Sequence, residues 1–262
     1  MLTVGIDEVG YGPRLGPLVV AAAGAEGPLG ARVPIADSKK IFSQARGVRT
    51  LEPAVLGFVP AATYEELLSR LGGRLPGSPW YRAPLGLPEV GRAGRLEVAL
   101  ARVVEPSEFN EAVRTRNKAE LLFDVAADLI NRIRAAHGGP IRFLVGKQGG
   151  RRFYRRGLQQ RISPAVTVVE EERARSTYEI PGATVSFLQD AEDRHELVAL
   201  ASMIGKYVRE CAMKLFNDFW AARLEGLRRT AGYGRDGERF FREIEPALAR
   251  HRVDRESVLR LR

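Results

Sequence analysis

Residues 1–24 read "MLTVGIDEVGYGPRLGPLVVAAAG". Leu2–Ile6 and Leu18–Ala23 are short apolar runs bounded by glycine and proline, which predicts two strands joined by a tight loop. The adjacent acids Asp7 and Glu8 close the first run, the place where an open α/β sheet exposes side chains to a crevice. Neighbouring strand residues point to opposite faces, so both carboxylates reach one site only where the chain bends, and Gly10 and Gly12 permit that bend. Two close carboxylates repel unless protons or cations compensate. With oxygen donors and no His/Cys cluster, Mg²⁺ or Mn²⁺ is the matching cofactor. A surface acid pair beside a turn is the competing reading.

Further along, Leu96–Val104 alternates in part and predicts a third strand. "NKAELLFDVAADLINRIRAA" places Leu121, Leu122, Val125, Leu129, Ile130 and Ile133 on one helical face. His137-Gly138-Gly139-Pro140 stops this helix, and Ile141–Val145 reads as a buried strand. Strand, helix, strand implies a parallel crossover, hence an α/β fold. Ala165–Val169 and Ala183–Leu188 are further strand candidates, and a long helix is predicted from about Glu196 to Arg223. Cys211 falls on that helix's apolar stripe and reads as a buried residue, not a nucleophile. Residues 72–95 carry too much glycine and proline for an interior element and predict a loop or flap, with Trp80 and Tyr81 as its anchors.

The chain has 262 residues and 45% hydrophobic content, enough for one large domain with a substantial core. Its single cysteine excludes an internal disulfide framework, and neither a signal-like start nor a bilayer-length apolar run is present, which predicts a soluble cytoplasmic protein with no membrane partner. The net charge of +9 and pI near 10.0 point to a polyanionic partner. Distribution says more than the total. From Leu129 to Val169 there is no Asp or Glu, while Arg132, Arg134, Arg142, Lys147, Arg151, Arg152, Arg155, Arg156 and Arg161 accumulate, the pattern of a nucleic-acid footprint, with a merely solvated surface as the competing reading. "GKQGG" at 146–150 lacks the spacing of a P-loop, but its glycines can present backbone N–H groups to phosphate, with Phe153 and Tyr154 available to stack or to pack.

The opening Gly5-Ile6-Asp7-Glu8-Val9-Gly10-Tyr11-Gly12, followed by Gly16-Pro17, resembles the start of the type 2 ribonucleases H, the HII and HIII families. "ADSKKIFS" at 36–43, "FNEAVRTRNKAELL" at 109–122, "AEDRHELVALASMIGKYVRE" at 191–210 and "TAGYG" at 230–234 are similar, in the same order, to later elements of those families. The resemblance implies a ribonuclease H-like α/β fold, a mixed central sheet flanked by helices, with a catalytic domain over 1–215 and a basic C-terminal helical part over 216–262.

It further implies metal-dependent endonucleolytic cleavage of RNA in RNA/DNA hybrids, or in DNA containing ribonucleotides, by a monomer. Asp7, Glu8 and Glu192 would be metal ligands, with Asp193 as the alternative to Glu192. Gly10, Tyr11, Gly12, Lys39, Lys40 and Tyr233 would contact substrate, and Lys147, Arg151 and Arg152 of the basic run would grip its backbone. Two departures stand out. Tyr11 occupies the place of an arginine in HII proteins, and Gly146 occupies the place of the family's central acid, after the strand that follows the long helix. Two other functions remain open on this reading: a catalytically inactive hybrid-binding protein, and an ATP-dependent phosphotransferase of the actin and sugar-kinase type.

Overall fold

The computed structural model describes residues 1–36, 38 and 47–261; the expected substrate lysines Lys39 and Lys40 lie outside the described residues. Among the described residues seven strands form one mixed sheet in the order β3-β2-β1-β4-β7-β6-β5. Strand β1 (Leu2–Val9) pairs antiparallel with β2 (Leu18–Ala25), which pairs antiparallel with β3 (Val98–Val104). On its other side β1 runs parallel to β4 (Ile141–Gly146), and β4 parallel to β7 (Ala183–Leu188). β6 (Arg175–Ile180) and β5 (Thr167–Glu171) complete the sheet by antiparallel pairing. The three central parallel strands therefore open their C-terminal ends on one edge.

β1 differs from the expected Leu2–Ile6. It continues through both acids, with Asp7 opposite Ala21, Glu8 opposite Val20 and Val9 opposite Val19. The chain does not bend at the acid pair, because the ladder with β2 holds it extended to Val9. The turn begins at Gly10, whose φ of 84° only glycine adopts cheaply. β6 has no counterpart among the expected strands. Its buried positions include Ser176 and Thr177, whose hydroxyls bond Arg152 O at 2.7 Å and Glu170 Oε1 at 2.9 Å, so no apolar alternation marks the strand.

Two helical layers cover the sheet. On one face lies α4 (Lys118–Ala136), started by a capping box in which Asn117 accepts from Glu120 N and the Glu120 side chain answers Asn117 N. Its apolar stripe packs on Leu2, Val4 and Ile6 of β1 and on Phe143 and Val145 of β4. Preceding it in the chain are α1 (Glu52–Phe58), α2 (Tyr64–Arg70) and α3 (Pro106–Thr115), and α5 (Arg155–Arg161) follows β4. The opposite face carries α6 (Glu196–Ala221), which approaches so closely that a Cβ at Gly5 would stand 2.3 Å from the backbone of Leu197 and Val198. Only glycine on β1 allows that contact.

Residue 215 lies within α6, and Phe240 and Ile244 of α7 (Gly234–Ile244) share one hydrophobic cluster with Val19 and Ala21 of β2. The 72–95 segment is the expected glycine- and proline-rich loop, with Trp80 and Tyr81 buried and Trp80 packed edge-on against Phe216.

Candidate active site

Strand alternation assigns each sheet-end residue a side. Leu2, Val4 and Ile6 face α4, so Asp7 falls on the α6 side and Glu8 on the α4 side, towards Tyr154. By the same rule Phe143 and Val145 face α4, and Gly146 shares the α6 side with Asp7. The parallel register pairs Ile6 with Val145, which brings Gly146 level with Asp7. A Cβ built on Gly146 would lie 2.7 Å from Asp7 Oδ1, so the Asp7 carboxylate leans over the place where a side chain at 146 would be.

These ends open into a cleft of about 730 Å³ lined by Asp7, Glu8, Gly10, Gly146, Lys147, Glu192 and Tyr233, among others. Glu192 stands in the short turn Ala191–Asp193 between β7 and α6. Its neighbour Asp193 does not line the cleft. The Lys147 ammonium donates to the Glu172 and Arg173 carbonyls, and burial together with the nearby Arg152 charge lowers its pKa. Tyr233 precedes α7 and remains 43% exposed at the cleft mouth, with the Arg209 guanidinium 5.1 Å behind its ring.

Other expected contacts fall elsewhere. Tyr11 packs beside the α4-side core under the Lys118 ammonium, 5.0 Å from its ring centre, and neither Tyr11 nor Gly12 lines the cleft. Burial, then the Glu8 charge, raises the Tyr11 pKa. Arg151 lies over the Phe123 and Tyr154 rings at 4.8 and 4.9 Å, and Arg152 donates to the Glu171 carbonyl at 2.7 Å. Both are outside the cleft. Tyr154 is buried and stacks on Phe187 at 3.6 Å, whereas Phe153 is exposed.

Several residues of the cleft are not marked by the sequence pattern. Asp190, just beyond β7, holds a left-handed conformation with φ 52°; Lys206 and Ser202 project from α6; Arg173 and Gln189 complete the rim. Lys206 and Ser202 are four residues apart on a helix, hence on one face, and that spacing is the signal the sequence offers. Asp190 gives none, because nothing local tells which strand end neighbours β1.

The site's donors are all oxygen, the chemistry of a hard divalent cation. Among the described residues no three His, Cys, Asp or Glu side chains stand close enough to hold an ion by themselves. Mg²⁺ is commonly held by one or two carboxylates with waters and substrate phosphates completing the shell, and that is the arrangement these residues fit.

The seven-stranded mixed sheet between two helical layers, with Asp7 and Glu8 near the end of its central strand β1, is an architecture of the ribonuclease H-like kind. Solved structures place it more closely. The chain is similar over 100% of its length, and 95% of the other, to the ribonuclease HII of Archaeoglobus fulgidus in its complex with PCNA, at TM-score 0.54 and 23% identity. It is also similar to ribonuclease H2 of Pyrococcus horikoshii, with 98% and 92% of the two chains covered, TM-score 0.51 and 19% identity. The fold is that of the type 2 ribonucleases H. No protein-family profile matches the chain, and no curated protein sequence matches it significantly.

Proposed function

We propose that this protein binds RNA/DNA hybrid across the sheet-end cleft and cleaves the RNA strand with the help of a divalent cation. The observation that carries the reading is the convergence of Asp7, Glu8 and Glu192, from two distant stretches of sequence, on one cleft whose rim holds Lys147, Arg173, Lys206 and Tyr233. Asp7 and Glu192 would hold Mg²⁺ or Mn²⁺, with Glu8 lining the same cleft from the other side of β1. Such an ion supplies charge compensation on the scissile phosphate and a water of lowered pKa.

The remaining work falls to this chain's own groups. The cations on the rim offset the backbone charge that the acids would otherwise repel. Tyr233 offers an exposed ring face for a sugar or base, kept in place by packing on Arg209. Burial, and then the charges of Arg142, Arg194 and Arg175, lower the pKa of His195.

A second reading, a hybrid-binding protein without turnover, is favoured by Gly146, which offers no carboxylate level with Asp7. One experiment separates the two. Labelled substrates with a single embedded ribonucleotide, a full RNA/DNA hybrid and plain DNA are incubated with Mg²⁺ or Mn²⁺, and both binding and cleavage are measured. Metal-dependent cleavage confined to the ribonucleotide-containing substrates supports the first reading, preferential hybrid binding without cleavage supports the second, and neither cleavage nor preferential binding of those substrates sinks both.

A further inference from the structure

The Gly10–Pro17 segment is rich in glycine and proline and joins no strand ladder, yet its first residue lines the cleft. Its carbonyls are answered by two arginines from opposite parts of the chain. Arg209 of α6 is fully buried and donates from Nε to Pro17 O at 3.2 Å and from Nη2 to Leu15 O at 3.2 Å. The same Nη2 reaches Ala231 O at 3.0 Å, in the turn that presents Tyr233. Arg260, 1% exposed, donates from Nε to Gly16 O at 2.8 Å and from Nη1 to Gly10 O at 2.6 Å.

Arg260 is itself delivered by a strap. Leu259 bridges to Leu15, Arg260 N donates to Arg14 O at 2.9 Å, and Asn110 of α3 holds the strap by donating to Leu259 O and accepting from Leu261 N. Arg14 N in turn donates to Gly232 O at 3.1 Å, tying the loop to the Tyr233 turn a second time. Burying two like charges side by side is costly, and burial first, Arg209 second, press the Arg260 pKa down to about 9. A planar guanidinium fork spans two carbonyls that a single ammonium cannot.

We infer that Arg209 and Arg260 are positioning residues that lock the Gly10–Pro17 loop and the Tyr233 turn into one wall of the cleft and thereby set its affinity for nucleic acid. This rests on the proposed hybrid binding. Neither arginine lines the cleft, so the effect on substrate runs through the loop and the turn.

The test compares the wild-type chain with Arg260→Gln, Arg260→Lys and Asn110→Ala; the last releases the strap without touching either guanidinium. Hydrogen exchange is followed at amides 10–17 and in β4, and hybrid affinity is read by fluorescence anisotropy at one salt concentration. Loss of charge-assisted hydrogen bonds should speed exchange at 10–17 roughly tenfold and weaken hybrid binding by a similar factor, with β4 unchanged. Arg260→Lys should not rescue, because charge without the fork cannot hold both carbonyls. Should Arg260→Gln fail to fold, Asn110→Ala carries the same expectation. Loop exchange and affinity unchanged in these variants, or both restored by lysine, overturn the inference. A wild-type chain that binds no hybrid overturns the functional reading instead, and the exchange at 10–17 still decides whether the arginines lock the wall.

Discussion

On the proposed reading, Gly146 is the position at which a single substitution separates cleavage from binding alone. Placing Asp there adds a carboxylate level with Asp7 and forces the Asp7 carboxylate, the movable end of a flexible side chain, to swing aside. Gly146→Asp is expected to raise Mg²⁺-dependent cleavage of hybrid at least ~10-fold, about 1.4 kcal/mol of transition-state stabilisation. Gly146→Ala displaces Asp7 equally and adds no ligand, so it should show no gain in the same single-turnover assay. If Asp and Ala behave alike, the position contributes shape and not coordination. Asp7→Asn preserves shape and removes charge, so Mg²⁺ affinity measured by calorimetry should disappear while the thermal midpoint stays level or rises through relief of acid crowding. Undiminished Mg²⁺ binding would remove Asp7 from the mechanism. Cys211, buried on α6, has its thiol pushed up to about 12 by burial. Native protein at pH 8 should therefore resist a disulfide-exchange reagent until it is denatured.

At the level of elements, the contact between β1 and α6 positions the acids relative to Glu192. Adding a methyl at Gly5 sets a Cβ against backbone, which cannot rotate away as a side chain can. Gly5→Ala should cost at least ~2 kcal/mol in urea unfolding and reduce hybrid cleavage with it, whereas overpacking that yields to flexible side chains costs less. Asn117→Ala removes the α4 capping box, on the face away from Asp7, and should cost about 1 kcal/mol without altering Mg²⁺ affinity. Equal destabilisation in both variants would mean that the strand and helix do not approach as closely as described.

Across the whole molecule, the run of cations between 129 and 169 divides into two groups. Arg151 covers aromatic rings, Arg152 and Lys147 donate to backbone carbonyls, and Arg161 pairs with Asp124 at 2.8 Å. Arg155 and Arg156 on α5 are exposed. Binding to hybrid should weaken steeply with salt, and the double variant Arg155→Gln with Arg156→Gln should lower the log–log slope by roughly 0.7–0.9 for each phosphate it no longer neutralises. An unchanged slope places the footprint on another face. Among the described residues no helix is long and apolar enough to cross a membrane.

Local pattern is enough to reveal the first residues of β1, the glycine loop after it, the long amphipathic α4 and the full span of β7, whereas the lack of an acid at 146 stands out only through the resemblance to the type 2 ribonucleases H. Those features repeat with period 2 or 3.6, or break such a period, within a few residues, and the forces that create them act between near neighbours. β6 escapes because buried hydroxyls replace the apolar side chains that mark a strand. What tertiary structure decided was which distant pieces meet: Glu8 on the opposite side of β1 from Asp7, Asp190 and Lys206 in the same cleft, and Arg209 and Arg260 beneath the loop. Strand order and register settle those meetings, and both depend on how the two helical layers pack on the sheet, a sum over the whole chain that no single stretch of it contains.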